Sequence, residues 1–388
     1  MIVDLHAHYA MHLVPEAAGT PIGIFSTTKG RGRLRDRVRA RLIGLASRFA
    51  NYRSFESGPR VTVSKLREGR VGVALSVVYS FFDELDLDAP YGAPPEPGYL
   101  PRLIRQLDMV ETDIEEHHPA EAVVVRDRAA LDEEVANGRV ALIHCVEGGF
   151  HLGQTPEAVD RAVATLAGRG VAYIVLPHLL WRGVATNSPA LPFLPDWLYR
   201  VVFPQPKLGL SELGTAAVKA MVREGVVIDL SHMSTRAVEE TFELLDELDP
   251  DRRVPVIASH SAFRFGRQEY GVEQHTVQRI AARDGVVGLI FAQHQLNDGV
   301  RRGRTKTFED SFEVIGRHLD RIAEITGSHA HAAIGSDFDG FIKPTLGGLE
   351  SMTDMPRLEQ AVRDRYGAED AERICAGNAL RVLRAGWR

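Results

Sequence analysis

The stretch Val226–Ser234, VVIDLSHMS, decides how this chain is read. Three apolar residues run into Asp229, Leu230, Ser231 and His232, the pattern of a buried strand that delivers a histidine at its C-terminal end. One helix-length segment later Val254–Ser261, VPVIASHS, delivers His260 in the same way. Neighbouring strands of a parallel sheet would bring the two imidazoles over one rim. A lone strand-end histidine is more often a core residue bonded to backbone than a metal ligand. The rest of the chain therefore decides between the two.

The 388 residues are 44% hydrophobic and 25% charged, which is ordinary globular composition and enough for a large core. The net charge of −6 makes no case for nucleic acid as a partner. Cys145 and Cys375 are the only cysteines, so neither a disulfide framework nor a cysteine zinc site can be built. No run approaches the ~18 apolar residues of a membrane helix. No signal peptide is visible, since the first strand begins at Met1, and the expected location is cytoplasmic.

Met1–His8, MIVDLHAH, reads as an apolar strand ending in His-x-His. On a strand, residues i and i+2 point the same way, so His6 and His8 can hold one ion together. Further strands are expected at Val71–Tyr79, Val140–Gly149, Val171–His178, Pro255–Ser259, Gly285–Phe291 and His331–Ser336. The third of the chain's strands ends in Glu147, and Gly148 and Gly149 let the backbone turn there; this suits a carboxylate shared between metals. The fourth ends in His178. The eighth runs into Asp337-Phe338-Asp339-Gly340. Alternation with helical segments gives eight strands of a parallel α/β fold. Every candidate ligand sits at a strand's C-terminal end. Those ends converge at one rim in a (β/α)₈ TIM barrel, whereas an open sheet would spread them along a line. The expectation is thus one metal-dependent hydrolase barrel over residues 1–388, with two additions.

The first addition is a basic excursion at about 11–60. Between Lys29 and Arg60 ten basic residues face only Asp36 and Glu56, a balance of about +8. Leu34, Val38, Leu42, Leu45 and Phe49 fall at helical spacing, so a basic amphipathic helix is expected at about 31–53. A helix packed on the barrel exterior is the plainer reading; a lid, a subunit contact or an anionic-surface contact are the alternatives. The second addition is a long proline-rich loop at about 179–207, placed where substrate selectivity usually lives.

Imidazole and carboxylate together suit zinc or a similar divalent ion. Two such ions ~3.5–4 Å apart need a bridging anion, and a water between them ionises near neutral pH. Glu147 is the best-placed bridge, and Asp337 can accept that water's proton and pass it to a leaving amine. There is no Gly-x-Ser-x-Gly elbow, no phosphate-binding P-loop and no dinucleotide fingerprint.

With these residues assembled, the chain resembles the renal (membrane) dipeptidase family, peptidase family M19 of the amidohydrolase superfamily. The matching stretches are KLREGRVG, HCVEGG, YIVLPH, GLSELG, VIDLSHMS, VIASHS, IGSDFDG and GNALRVL, in the family's order over about residues 61–388. The resemblance implies a (β/α)₈ barrel with two zinc ions and a dipeptide or related amide as substrate. It implies that Glu147 bridges the ions, that His6 and position 8 bind one, and that His232 and His260 bind the other. It further implies that His178 contacts the substrate carbonyl or its tetrahedral intermediate and that Asp337 is the acid/base. An arginine after the second histidine motif would bind the substrate carboxylate, with Arg267 the first match and Arg264 its competitor.

Three departures stand out. His8 replaces the family's aspartate and removes a negative charge beside the metals. Gln268 and extra residues alter the segment carrying Arg267. The basic excursion has no counterpart, and the family's subunit-linking cysteines and lipid-anchor signal are absent, which leaves a homodimer open. The expected function is dipeptide hydrolysis by a metal-bridging water. The alternatives are an N-acyl amino acid deacylase or lactonase on the same site, or a non-hydrolytic peptide-binding or peptide-modifying protein.

Overall fold

The computed structural model describes residues 1–14, 34–50, 58–80, 83–84, 91–93, 98–191, 194–340, 342 and 345–388. Among them are nine strands: β1 (Ile2–Ala7), β2 (Val71–Val78), β3 (Ala122–Val125), β4 (Val140–Glu147), β5 (Tyr173–Val175), β6 (Val227–Asp229), β7 (Val256–Ser261), β8 (Val286–Leu289) and β9 (Ala332–Ile334). All pairings between them are parallel, in the order β2-β1-β9-β8-β7-β6-β5-β4-β3. A further parallel ladder, Val73 opposite Ala141 through Val78 opposite Val146, joins β2 to β4 and closes eight strands into a barrel. This is the expected (β/α)₈ fold.

The ninth strand, β3, was not expected. It pairs with the first half of β4, Ala122 opposite Val140 to Val125 opposite Ile143, where β5 does not reach. Its four residues, AVVV, are too few to show a period of their own. The fourth expected strand is also shorter than read: only Tyr173–Val175 is paired, and Leu176, Pro177 and His178 form its exit.

The pleat explains why these strands read as continuous apolar runs. In β4, Ala141, Ile143 and Cys145 enter one buried cluster, and Val140, Leu142 and Val146 enter another. The first cluster is the barrel interior, with Val3, Leu5, Val73, Leu75, Val77, Tyr173, Val175 and Ile257. Leu380 and Leu383 of the closing helix Asn378–Gly386, and Trp387 just after it, belong to the same cluster, so this segment plugs the barrel's N-terminal mouth. The second cluster lies between strands and outer helices. The plug leaves the C-terminal rim as the open end.

The basic helix forms over Leu34–Ala50, but its expected apolar face is not the buried one. Leu34, Val38 and Leu42 are 70%, 47% and 39% exposed, while Asp36 and Ala40 are buried. The side chains of Leu45 and Phe49 lie outside the described residues. Charge and geometry override the apolar spacing: Arg39 pairs with Asp36, donates from Nε to the Val202 carbonyl at 2.7 Å and stacks 4.5 Å from the Tyr91 ring centroid. Ala40 then enters a cluster with Met11, Tyr79, Phe150, Leu180, Tyr199 and Phe203. These residues follow strand exits or belong to the 179–207 loop, so the helix lies over the rim. No described helix is long and apolar enough to cross a membrane.

Two substitutions test this division. Leu383→Ala should lower unfolding free energy by ~2–5 kcal/mol, because it opens a cavity in the plug. Leu34→Ala should stay within ~0.5 kcal/mol of wild type. Urea denaturation followed by circular dichroism measures both, and a Leu34→Ala cost equal to that of Leu383→Ala would overturn the placement of the helix.

Candidate metal centre

The rim is fixed by two buried aspartates that precede the histidines. Asp229 Oδ1 accepts from Ser231 N at 2.9 Å and from Ser259 N at 3.0 Å, tying the exit of β6 to the exit of β7. Asp4 Oδ1 accepts from His6 N at 3.1 Å and Ser336 N at 2.9 Å, and Asp4 Oδ2 accepts from the Ser336 hydroxyl, tying β1 to β9. Asp337 N then donates to the His6 carbonyl at 2.8 Å, and His8 N donates to the Phe338 carbonyl at 3.0 Å. Both aspartates are fully buried, and burial raises both pKa values, that of Asp4 to about 6.

On this frame the expected ligands meet. His232 Nε2 and His260 Nε2 are 2.9 Å apart, His6 Nε2 and His8 Nε2 3.2 Å apart, and His8 Nε2 lies 3.0 Å from Asp337 Oδ1. Glu147 stands between the two pairs. Its Oε1 is 3.3 Å from His232 Nε2, 3.4 Å from His260 Nε2 and 3.6 Å from His6 Nε2; its Oε2 is 3.7 Å from His8 Nε2 and 3.6 Å from His178 Nε2. Three overlapping sets could each hold an ion: His6, Glu147 and His260; His6, His8 and Asp337; Glu147, His178 and His232. The grouping differs in detail from the expected pairs, since His178 joins one set and His6 two. All seven expected ligand and acid/base residues are nonetheless in one cluster.

The backbone takes strained conformations to achieve this. His232 and Asp337 have φ of 64° and 59°, in the left-handed region that β-carbons disfavour. Gly340 lets the turn after Asp337 close on the site, because a Cβ there would lie 1.8 Å from Asp337 Oδ1 and 2.7 Å from the His8 ring. Gly149 packs so close to β5 that a Cβ would meet the Leu176 carbonyl at 2.9 Å. The expectation of glycine turns behind Glu147 therefore has a steric reason as well as a conformational one.

The protonation pattern suits a cation. Burial, with His260 and His8 beside it, holds His6 well below its ordinary pKa, and burial beside His178 lowers His232 to about 3. Both are neutral, with a lone pair available. Tyr173 OH donates to the Leu5 carbonyl at 2.8 Å, so it accepts the His6 Nδ1 proton at 2.8 Å and leaves Nε2 bare toward the cluster. Against the cost of burial, the protonated imidazole of His178 keeps Glu147 ionised well below the usual range. Glu147 Oε1 is buried with no hydrogen-bond donor among the described residues, as are His8 Nδ1 and His232 Nδ1 without partners. A buried carboxylate oxygen lacking a donor among the described residues and ringed by imidazole nitrogens, of which those of His6 and His232 are bare, fits a divalent cation.

Two tyrosines and one acid escaped the sequence reading. Tyr173 lies inside YIVLPH and holds His6. Tyr270, in the altered segment, donates to the His260 carbonyl at 2.8 Å and stands edge-on to His232. Glu84 accepts from His178 Nδ1 at 2.7 Å. It sits in a stretch crowded with acids (Asp83, Asp86, Asp88), and no spacing distinguishes it. His144 and His151 are buried elsewhere: His144 Nε2 lies 3.2 Å from Glu111, and His151 Nε2 accepts from Ser80 N at 3.4 Å. Cys145 is in the barrel interior.

The two candidate arginines differ. Arg264 donates to the Gly271 and Glu269 carbonyls and pairs with Glu273, so it braces its own loop. Arg267 is exposed and has no hydrogen-bond or ion-pair partner among the described residues. Gln268 donates to the His294 carbonyl at 2.8 Å, and its backbone N–H donates to Asp298, which anchors the altered segment beside the exit of β8.

Known proteins resemble this chain in sequence and in fold. A sequence model of the membrane dipeptidase family, peptidase family M19, matches residues 35–386. That match begins after β1, so the His6-x-His8 pair lies outside it. A fission yeast (Schizosaccharomyces pombe) protein named as an uncharacterized dipeptidase is 31% identical over 252 residues, 63% of this chain and 53% of the relative. The match thus spans about half the length of that relative. Two solved structures share the fold. One is a metallopeptidase from Rhodobacter sphaeroides bound to a phosphinate mimic of the dipeptide L-Ala-D-Ala, with TM-score 0.71, 20% identity and coverage of 100% and 99% of the two chains. The other is the dipeptidase AC, a metallopeptidase of family M19, with TM-score 0.69, 21% identity and coverage of 89% and 96%. With its family motifs matched over all but the first residues, the chain belongs to the membrane dipeptidase family, peptidase family M19.

Proposed function

We propose that this protein is a metallo-dipeptidase that hydrolyses dipeptides on a binuclear zinc site. The observation that carries the reading is the position of Glu147, whose Oε1 faces His232, His260 and His6 while Oε2 faces His8 and His178. A carboxylate so placed could be shared between two ions; the family resemblance would give one ion to His6 and His8 and the other to His232 and His260. Family membership and the dipeptidase names of its relatives support the peptide bond as the target. When bound, the two ions supply Lewis acidity and a water ionised near neutral pH.

The chain's own residues do the rest. Burial raises the Asp337 pKa, so the carboxyl can hold a proton and release it to the leaving amine. Asp337 Oδ1 is within reach of His8, on the side of the first ion's residues. His178 carries a proton to higher pH than an ordinary histidine, to about 9: burial opposes its charge, but Glu147 and Glu84 outweigh it. Its Nε2–H is then a donor for the oxygen that gains charge as the carbonyl is attacked. The buried rim excludes bulk water from these groups. Arg267, exposed beside the site's altered segment, is the candidate for the substrate carboxylate, and Arg264 is not free for that role.

Elemental analysis should find near two zinc per chain, and chelation should abolish cleavage of L-L and L-D dipeptides until zinc is restored. Glu147→Gln should cost more than the ~10–100-fold loss typical of a residue that merely supports a ligand. One ion or none in metal-supplemented protein would remove the bridging role of Glu147.

The arginines separate by a second measurement. Arg267→Ala should raise KM for dipeptides about tenfold with thermal stability unchanged, the ~1.4 kcal/mol of one charge-assisted contact. Arg264→Ala should lower stability by ~1–2 kcal/mol, since it leaves its loop's acceptors unpaired. An unchanged KM in Arg267→Ala would take the substrate carboxylate away from Arg267; the rival reading is an N-acyl amino acid deacylase or lactonase. Cleavage of those substrates without dipeptide cleavage would establish that rival.

A further inference from the structure

Glu84 is a tightly held carboxylate near the rim that the hydrolysis just described does not use directly. It is fully buried, in a helical turn, Asp83–Glu84, that follows the exit of β2. Its Oε2 accepts from His178 Nδ1 at 2.7 Å and from the Tyr79 hydroxyl. Its Oε1 accepts from Leu180 N at 2.7 Å, and its backbone carbonyl accepts from Arg182. Leu180 lies two residues beyond His178. One carboxylate therefore grips both the imidazole and the backbone just past it.

The ring it grips has little other freedom. His178 stands edge-on to Tyr79, with centroids 4.4 Å apart, and edge-on to His232 at 4.5 Å. With Nδ1 held by Glu84, the opposite nitrogen, Nε2, is the one that looks into the cluster, 3.6 Å from Glu147 Oε2. A ring turned by half would put carbon where that nitrogen stands. The cost of such a turn is set by the bond to Glu84, because the edge-on contacts with Tyr79 and His232 are nearly indifferent to which ring edge faces inward.

We propose that Glu84 is the positioning residue for His178: by accepting the Nδ1–H it fixes the ring so that Nε2 faces the substrate carbonyl. This rests on the dipeptidase reading for its catalytic meaning, but the orientation itself does not. Tyr79 and Arg182 belong to the same device, since they hold Glu84 from the strand exit on one side and the substrate loop on the other. A base or donor oriented by a buried carboxylate on its far nitrogen is a recurrent way to keep one imidazole edge on target.

The test is a double-mutant cycle on the zinc-loaded full chain, with Glu84→Ala, His178→Ala and the pair. Glu84→Ala should lower kcat ~10–100-fold with KM within about threefold, because the misplaced donor matters most when charge develops. In the His178→Ala background the further loss should fall to within about threefold. Equal losses in both backgrounds would show that Glu84 merely supports the loop, and loss of zinc from Glu84→Ala would show that it supports the metal centre; either overturns the proposal. A second readout needs no turnover. In protein labelled with ¹⁵N-histidine, the Nδ1–H resonance that vanishes in His178→Ala should also vanish or exchange rapidly in Glu84→Ala. Its persistence would overturn the proposal even if dipeptides are cleaved. Its loss in a protein that cleaves no dipeptide would keep Glu84 as the anchor and reject the substrate instead.

Discussion

Glu147 is an ionised carboxylate buried among five imidazoles, with one oxygen that no hydrogen-bond donor among the described residues reaches. Leaving such a group in a dry interior costs several kcal/mol unless something balances it. The surrounding histidines cannot all supply the balance by taking protons. Their nitrogens are 2.9–3.2 Å apart in pairs, so charge on one opposes charge on the next. His6 and His232 are accordingly held neutral, and His178, which lies farther out and has Glu84 behind it, keeps the proton. The neutral imidazoles of His6 and His232 beside the anion offer lone pairs to a cation. The cluster is thus prepared for metal by the same electrostatics that would otherwise make it unstable.

Holding that cluster in place explains features of the barrel that have no other use. Parallel strands end together, but ending together does not bring Nε2 atoms within 3 Å. Asp4 and Asp229 do so by accepting backbone N–H groups across adjacent strand exits, each with the histidine-bearing strand on one side. The left-handed backbone at His232 and Asp337 stores strain of order 1–3 kcal/mol per residue, tolerated because the ladders beneath over-determine the rim. The closing segment contributes from the other end. By filling the N-terminal mouth with Leu380, Leu383 and Trp387, it keeps the barrel interior dry and rigid below the site.

How much of this was legible in the sequence follows from the range of each interaction. The strands announced themselves because both faces are buried, so VVIDLSH and VALIHCVE are apolar without interruption. His6, His8, Glu147, His178, His232, His260 and Asp337 could be picked because each stands where an apolar run stops. The barrel followed from their convergence. What failed were inferences from local spacing alone. The leucines and valine of the helix Leu34–Ala50 repeat at helical intervals, yet the face that meets the rim is Asp36, Arg39 and Ala40. Its orientation is set by a carbonyl at Val202 and a ring at Tyr91, partners far away in the chain. β3 escaped because four residues carry no period.

The supporting residues were hidden for the same reason, and they mark the difference between finding a site and explaining it. Nothing local distinguishes Glu84 from the acids around it, or Tyr173 from the other apolar residues of its strand. Each is defined by what it does to the far nitrogen of a histidine: Tyr173 accepts the Nδ1 proton of His6, and Glu84 that of His178. The two outcomes differ in chemistry. A neutral tyrosine oxygen behind His6 leaves a neutral ring whose bare Nε2 can bind a cation. An anionic carboxylate behind His178 favours a ring that keeps its proton on Nε2 and can donate it. On the proposed mechanism, the two histidines on the same rim take opposite tasks, each set by the residue behind it. Ligand and donor would then be separated one layer below the site, where the sequence motifs do not reach.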